Sequence, residues 1–234
     1  MRTLPKLVLS GIAIAAAASA SADTDTVLVD PVTVNLSAWT YGSGNAVNVG
    51  SPTYSGQGGG FSGVLSNAGA YNDASFETYC VELGQSFNWN VSYTNYQIVK
   101  GDTYSLWAGN PATAGQIGQL MTYVGTLGAL DSAKSTGVQL AIWELIYETG
   151  SSYSLSSGTF QNTPSSSNAY ADSLLSAFSS TTSMYNVDVL KNKDHQDFLI
   201  LTAVPEPQAY ALALAGLALV GVFGRKVRGE KAKA

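Results

Sequence analysis

Apolar and polar positions alternate along the first half of the chain in the way that is typical of short β-strands. Runs rich in β-branched and aromatic residues are separated by Gly, Asn, Asp and Ser, which favour turns. The pattern predicts strands over residues 27–39, with a break at Pro31, and over residues 61–66, 75–83 and 91–100. The glycine-rich residues 55–63 are predicted to form a loop between strands.

The periodicity changes after Pro111, where apolar residues begin to recur at steps of three and four. This spacing predicts a helix over residues 113–127 and a second helix that is capped by Asp131 or Ser132 and runs to Thr149. Apolar side chains of the second helix form a stripe along one face, and Gln139 lies on the shoulder of that stripe.

A third helix is predicted over residues 169–178, with Asn168 as its N-cap, and two strands over residues 184–190 and 198–203 follow it. Strands therefore occupy both ends of this part of the chain, and helices lie between them. The sequence predicts an α+β domain in which antiparallel strands form a sandwich or a barrel-like lobe with a helical insertion.

The first residues of the chain are typical of an export signal. Arg2 and Lys6 precede an apolar stretch over residues 7–18, and small residues follow it, so cleavage is expected after Ala20 or Ala22. We expect residues 1–22 to be removed as a signal peptide. The remaining residues 23–203 have the length of one ordinary domain and are expected to fold on their own.

The last part of the chain contains a run without charge over residues 209–224, followed by the basic residues Arg225, Lys226 and Arg228. Sixteen residues of helix reach about 24 Å, a little less than the roughly 30 Å of a bilayer core. Local thinning of the bilayer compensates for such a difference. The sequence predicts a transmembrane helix over residues 209–224 whose basic end stays in the cytoplasm.

Val204, Pro205, Glu206 and Pro207 directly precede this apolar run. Together with the run and the basic stop, residues 204–234 resemble the PEP-CTERM sorting signal of Gram-negative bacteria that make exopolysaccharide, although Val227 interrupts the basic cluster. The resemblance implies an inner-membrane intermediate that is recognised by an exosortase, a membrane cysteine protease-transpeptidase. It also implies removal of the tail and delivery to the cell surface or the extracellular matrix.

The charge of the exported part narrows the range of partners. Residues 23–203 contain fourteen Asp and Glu against four Lys, a net charge of about −10, whereas the whole chain has −5. Such a surface repels nucleic acid and anionic phospholipid. Few charges with many Gly, Ser, Thr and Tyr are typical of extracellular proteins, and no nucleic-acid partner is expected.

Candidate chemistry is sparse. The lone Cys80 of an exported protein is a buried inert thiol, a partner in an intermolecular disulfide, or a reactive group. The lone His195 lies in a predicted turn without triad partners, and Glu144 and Glu148 are expected on a solvated helix face. The sequence shows no metal-ligand cluster, and we expect no enzyme, metal site or cofactor.

Two short segments carry a second resemblance. Cys80 lies in Tyr79-Cys80-Val81-Glu82, and Gln139 lies in Val138-Gln139-Leu140-Ala141-Ile142-Trp143. These segments resemble the thioester domains of surface adhesins, in which a cysteine after an aromatic residue joins the glutamine of a Thr-Gln-x-Ala segment. Val138 stands where that family commonly has Thr. The resemblance implies a bond between Cys80 and Gln139, formed with loss of ammonia, whose acyl group is activated toward amines and hydroxyls.

The sequence thus favours a protein of the cell surface or of the biofilm matrix that acts as a covalent adhesin through an internal thioester. The alternative is a non-covalent structural protein that binds exopolysaccharide or matrix, with exposed Tyr and Trp side chains stacking on sugars. A secreted hydrolase is disfavoured, because no histidine-based or metal-based constellation is present.

Overall fold

The computed structural model describes residues 25–51, 53–107, 110, 113–149 and 152–204. The predicted signal peptide (1–22), most of the predicted sorting motif (205–207), the predicted transmembrane helix (209–224) and the basic stop lie outside these residues. Within the described part of the chain, no helix is both long enough and apolar enough to cross a membrane.

The described residues form nine β-strands and three α-helices, joined by turns and four short 3-10 helices. The strands are β1 (Val27–Trp39), β2 (Asn45–Ser51), β3 (Thr53–Gly58), β4 (Phe61–Ser66), β5 (Asp73–Thr78), β6 (Ser92–Lys100), β7 (Gln161–Asn162), β8 (Tyr185–Lys191) and β9 (Phe198–Ala203). The helices are α1 (Thr113–Thr126), α2 (Ser132–Tyr147) and α3 (Ser166–Ala177). The 3-10 helices are Gly69–Tyr71, Gly101–Thr103, Ser105–Trp107 and Phe178–Ser180.

Six strands form the main sheet in the order β5-β4-β1-β6-β8-β9, and every neighbouring pair is antiparallel. After β5 the chain turns toward β9, where Cys80 forms an isolated antiparallel bridge with Phe198. We call this junction of residues 79–81 with residues 197–199 the seam. Because the seam joins the two edges of the sheet, the sheet forms a nearly closed barrel-like lobe.

A smaller sheet in the order β3-β2-β7 lies beside α2, and α2 also packs along α3. Residues 135–145 of α2 are buried on every side of the helix, so the predicted amphipathic stripe is part of a helix that is enclosed all round. This enclosure brings α2 against both the smaller sheet and the seam. Its polar side chains therefore need partners inside the protein.

The predicted α+β class with a barrel-like lobe is confirmed. The strand predicted over residues 61–66 is β4, the one predicted over residues 198–203 is β9, and α1 begins at the predicted residue. The loop predicted over residues 55–63 is wrong, because most of it belongs to β3 and β4. At position 63 the close approach of the neighbouring strand requires glycine, because a Cβ atom would lie 2.0 Å from the carbonyl oxygen of Asn35.

The strand predicted over residues 75–83 is β5, which ends at Thr78, so Cys80 lies beyond this strand. Two other elements also differ from the prediction. β1 continues through Pro31, and its pairing with β6 shifts register between Val29 and Val32, which accommodates the missing N–H of proline. α3 begins at Ser166 with Ser165 in the N-cap position. Asn168, the predicted cap, is buried inside the helix, and its side-chain amide donates to the main-chain carbonyl of Asn162.

Candidate functional site

α2 presents a row of buried polar side chains to the neighbouring main chain. The hydroxyl of Ser135 accepts a hydrogen bond from the Gly60 amide at 2.8 Å, and the hydroxyl of Thr136 donates to the Gly58 carbonyl at 2.6 Å. These contacts satisfy main-chain groups at the end of β3 and just before β4. They fix α2 along its length and thereby place Gln139, one turn further on, at the seam.

Gln139 is hydrogen-bonded twice to the main chain of Cys80. The Cys80 amide donates to Oε1 of Gln139 at 2.9 Å, and Nε2 of Gln139 donates to the Cys80 carbonyl at 2.8 Å. Gln139 is 0% exposed and Cys80 is 7% exposed, and the cysteine is a free thiol. The structure thus brings together the two residues predicted to form a thioester, while the bond itself stays a prediction.

This arrangement has two chemical consequences. The thiol sulfur of Cys80 is three covalent bonds from the amide nitrogen that holds Oε1, so sulfur and carboxamide belong to one small site. When a nucleophile attacks a carboxamide carbon, negative charge develops on the oxygen, and a fixed main-chain N–H at that oxygen stabilises it. The Cys80 amide is such a donor for the Gln139 oxygen.

The surroundings of Cys80 keep its thiol protonated at rest. Burial raises the pKa of the thiol well above its ordinary value, and the negative charge that Glu82 carries when ionised raises it further. A neutral buried thiol is a weak nucleophile. Attack on Gln139 therefore requires a nearby group that accepts the thiol proton.

A pair of carboxyl groups lies beside the seam. Oε1 of Glu82 accepts a hydrogen bond from the Asp197 amide at 2.9 Å, and the Asp197 carboxyl accepts from the Asn192 amide at 2.6 Å and from the hydroxyl of Tyr104. Burial raises the pKa of both carboxyls, and the charge of Asp197 raises the pKa of Glu82 further. Glu82 therefore holds a proton at higher pH than an ordinary glutamate.

Tyrosines from three elements lie near enough to Cys80 for a charge on it to affect them: Tyr54 on β3, Tyr96 on β6 and Tyr147 on α2. Burial raises the pKa of each phenol, to about 12 for Tyr147, and a charge on Cys80 would raise it further. These side chains are neutral and bulky, and the hydroxyl of Tyr96 is bound to the Gln196 carbonyl. An enclosed site of this kind limits hydrolysis of a reactive bond by water.

The tail is the part of the chain that matches a known protein family model. Residues 203–228 match the family model of the PEP-CTERM protein-sorting motif. The match includes the four residues predicted as the sorting motif and the basic stop, so the chain carries the signal that an exosortase recognises. The match implies an exported protein that is sorted toward the cell surface by a membrane-anchored route, as in Gram-negative bacteria. No curated protein and no solved structure matched the chain.

Elsewhere in the chain, the expectation that Glu144 and Glu148 are solvated is wrong. Both are buried, and their carboxylates accept hydrogen bonds from the main-chain amides of Ser154 at 2.6 Å and Thr159 at 2.7 Å. Burial raises the pKa of Glu144 to about 7. The two side chains hold the segment that follows α2 against the helix, because its amides need acceptors.

His195 lies in a turn, as predicted, with its ring centroid 4.3 Å from that of Tyr93. In the described part of the chain, no group of three or more His, Cys, Asp or Glu side chains is arranged to hold a metal ion.

Sequence reasoning missed the partners that surround Cys80 and Gln139. Glu82 could have been found, because it lies two residues after Cys80 and alternation puts both on one face of an extended segment. Asp197 is 115 residues from Glu82, and Ser135 is 75 residues from Gly60. No local pattern indicates such distant pairs.

Proposed function

We propose that this exported protein is a surface adhesin or matrix protein that forms a thioester between Cys80 and Gln139 and uses it to bind a partner covalently. The observation that supports the proposal is the pair of hydrogen bonds that holds the Gln139 carboxamide on the main chain of Cys80. Both bonds are to main-chain atoms, and the residue whose main chain they hold also bears the one thiol of the sequence.

The proposed reaction needs no further reactant. The sulfur of Cys80 attacks the side-chain carbonyl carbon of Gln139, the carbon–nitrogen bond breaks, and the thiol proton leaves with the nitrogen as ammonia. An amine of a partner then attacks the same carbon, forms an amide, and returns the proton to the sulfur. A hydroxyl group reacts in the same way and forms an ester.

Sorting by the tail determines which partners the proposed thioester would meet. A protein delivered to the cell surface meets lysine amines of other proteins and hydroxyls of exopolysaccharide. Enclosure of the site among neutral tyrosines preserves the thioester until a partner reaches it. Covalent capture then holds the partner without a large interface.

The proposal is tested with residues 23–203 prepared without amines. We expect the fresh wild type to weigh less than its sequence by one ammonia and to gain one methylamine at Gln139, with Cys80 then open to thiol reagents. Cys80→Ala and Gln139→Ala should show their full sequence mass and gain no methylamine. Gln119→Ala, at a glutamine of α1, is the matched control and should behave as the wild type.

A wild type that has its full sequence mass when fresh and gains no methylamine would rule out the thioester. Protection of Cys80 from thiol reagents is not sufficient support, because burial protects a thiol as well.

A second candidate function is non-covalent binding of polysaccharide. It is favoured by Trp39 and Trp89, whose ring centroids lie 5.3 Å apart, and by the exposure of Trp89, which is 37%. Adjacent aromatic rings at a surface are suited to stacking on sugars. Trp89→Ala should weaken retention on purified exopolysaccharide, whereas Leu106→Ala, at another exposed apolar residue, should not. Equal retention of both variants would exclude this surface.

A further inference from the structure

The side chain of Glu82 is the ionisable group that the main chain places next to Cys80 along the seam. The amide of the intervening Val81 donates to the Asp197 carbonyl at 3.0 Å, which keeps this segment extended against residues 197–199. Residues two apart in an extended segment point to the same side. Glu82 and Cys80 therefore lie on one side of the seam, and each raises the cost of a negative charge on the other.

The hydrogen bonds of Glu82 hold its carboxyl at the seam. Oε1 accepts from the Asp197 amide at 2.9 Å and from Nε2 of Gln196 at 3.5 Å. The Glu82 carboxyl is also hydrogen-bonded to the Asp197 carboxyl, and this contact raises the pKa of Glu82. The carboxyl is thus oriented beside Cys80, where it can accept or donate a proton.

Asp197 is fixed on the other side of the pair. Its carboxyl accepts from the Asn192 amide and from the hydroxyl of Tyr104, and the charge of Lys191 stabilises its ionised form. Other titratable groups also face the pair: Asp25 acts on Asp197, and Tyr96 and Tyr147 lie near Glu82. Of the two carboxyls, Asp197 is the better stabilised as an anion, and Glu82 is the one that holds a proton.

We propose that Glu82 transfers the protons of the thioester chemistry and that Asp197 is a positioning residue that sets the basicity of Glu82. This inference rests on the proposed thioester. During bond formation, ionised Glu82 takes the proton of the Cys80 thiol while the sulfur attacks Gln139. It then gives this proton to the departing nitrogen, which leaves as ammonia, and returns to its ionised form. During capture of a partner, Glu82 takes a proton from the attacking amine and gives it to the Cys80 sulfur.

The environment of Glu82 suits this role. A proton is transferred most effectively between groups of similar pKa, and an ordinary glutamate is a much weaker base than a thiolate. Burial, followed by the charge of Asp197, raises the pKa of Glu82 toward that of a thiol. The same carboxyl is therefore a better acceptor for the thiol proton and is still able to release it to a departing amine.

The test uses the mature protein, as processed by the producing cells and purified from them. It measures the rate at which the intact mass gains one methylamine over a range of pH. Rates are divided by the concentration of unprotonated methylamine, so that the titration of the reagent does not contribute. Glu82→Gln keeps an oxygen that can accept from the Asp197 amide and removes the charge and the proton transfer. Asp197→Asn removes the charge of Asp197 and keeps an oxygen for one of its two hydrogen-bond donors, the Asn192 amide and the Tyr104 hydroxyl. Glu77→Gln, at an exposed carboxylate of β5, is the matched control.

We expect the wild-type rate to rise with pH and to level off once Glu82 is ionised. Glu82→Gln should lower the plateau rate about 10²-fold and remove the pH dependence, as is usual when a general acid–base group is lost. Asp197→Asn should move the inflection to lower pH, because it removes the charge that opposes ionisation of Glu82. Glu77→Gln should match the wild type.

An equal rate and an equal pH profile for Glu82→Gln and the wild type would overturn this inference alone. If Glu82→Gln does not fold, as judged by circular dichroism, Asp197→Asn decides, and an unmoved inflection overturns the inference. A wild type that gains no methylamine at any pH overturns the proposed thioester and this inference together.

Discussion

Replacing Cys80 by Ala should cost far more stability than the loss of one buried thiol. Cys80 and Gln139 are 59 residues apart in the chain, so a thioester between them is a covalent cross-link that closes a long loop. The chain-entropy relation used for disulfides gives about 4 kcal/mol for a loop of this length. The same bond also ties the seam to α2 in the folded state.

The side chain itself contributes much less. When the buried CH2–SH side chain of a cysteine is replaced by the methyl group of alanine, the protein loses about 1 kcal/mol of stability, by analogy with the removal of one methylene from a core. Cys80→Ala should therefore lower the free energy of unfolding by about 5 kcal/mol if the cross-link is present, and by about 1 kcal/mol if it is absent.

Urea unfolding of residues 23–203, followed by tryptophan fluorescence, measures the difference. The wild type, Cys80→Ala, Gln139→Ala and the double variant form a thermodynamic cycle. Because either substitution removes the same cross-link, the double variant should lose about 4 kcal/mol less than the sum of the two single losses. A wild type whose mass shows the thioester, together with a loss of only about 1 kcal/mol in Cys80→Ala, would refute the reasoning from loop closure.

Three further predictions concern other parts of the molecule. The raised pKa of Glu144 means that the folded protein binds the proton of this carboxyl more tightly than the unfolded chain does. The stability that comes from this tighter binding is fully present below about pH 4 and is lost as the pH rises through about 7. The urea midpoint should be lower at about pH 8 than at about pH 5, Glu144→Gln should reduce that difference, and a midpoint that rises over this range would contradict the expectation. Thr136→Val should cost about 3 kcal/mol in urea unfolding by leaving the carbonyl of Gly58 and an amide of β2 without partners, while Thr126→Val, at an exposed position of α1, should change stability by less than about 0.5 kcal/mol; equal losses would argue against this role of Thr136. Replacing residues 205–207 by alanines should leave the protein unprocessed in the inner membrane, as followed by fractionation and detection of the tail, and normal processing would contradict exosortase recognition.

The elements that could be predicted from the sequence are those whose pattern is local. β9 is a run of six residues that begins with four apolar ones, and α2 has an N-cap at Asp131, whose side chain accepts from the Lys134 amide. Both were located within two residues of their ends. The sorting motif is also local, since its residues follow one another in the chain.

The parts that could not be predicted depend on contacts between distant residues. The pairing of Cys80 with Phe198 joins segments that are more than a hundred residues apart, and nothing near either residue indicates the other. Glu144 and Glu148 were expected in solvent because charged side chains usually are, but the segment after α2 supplies amides that hold them inside. The pairing of Cys80 with Gln139 could be predicted only through the resemblance to thioester domains. The presence of Asp197 beside them follows only from the fold.

The position of the seam also decides how a pulling force would travel through the protein. β9 leads directly into the sorting tail. The amide of Val204, the first residue after β9, donates to the Met184 carbonyl. Under the proposed function, a captured partner would pull on Gln139 while the cell holds the end of the chain that follows β9. In the described residues, the seam between them is joined by main-chain hydrogen bonds from the Leu199 amide to Tyr79 and from the Val81 amide to Asp197, and by a side-chain hydrogen bond from Thr78 to Leu199. Such a force would act on the closure of the barrel, and adhesion under flow would depend on the mechanical strength of the seam.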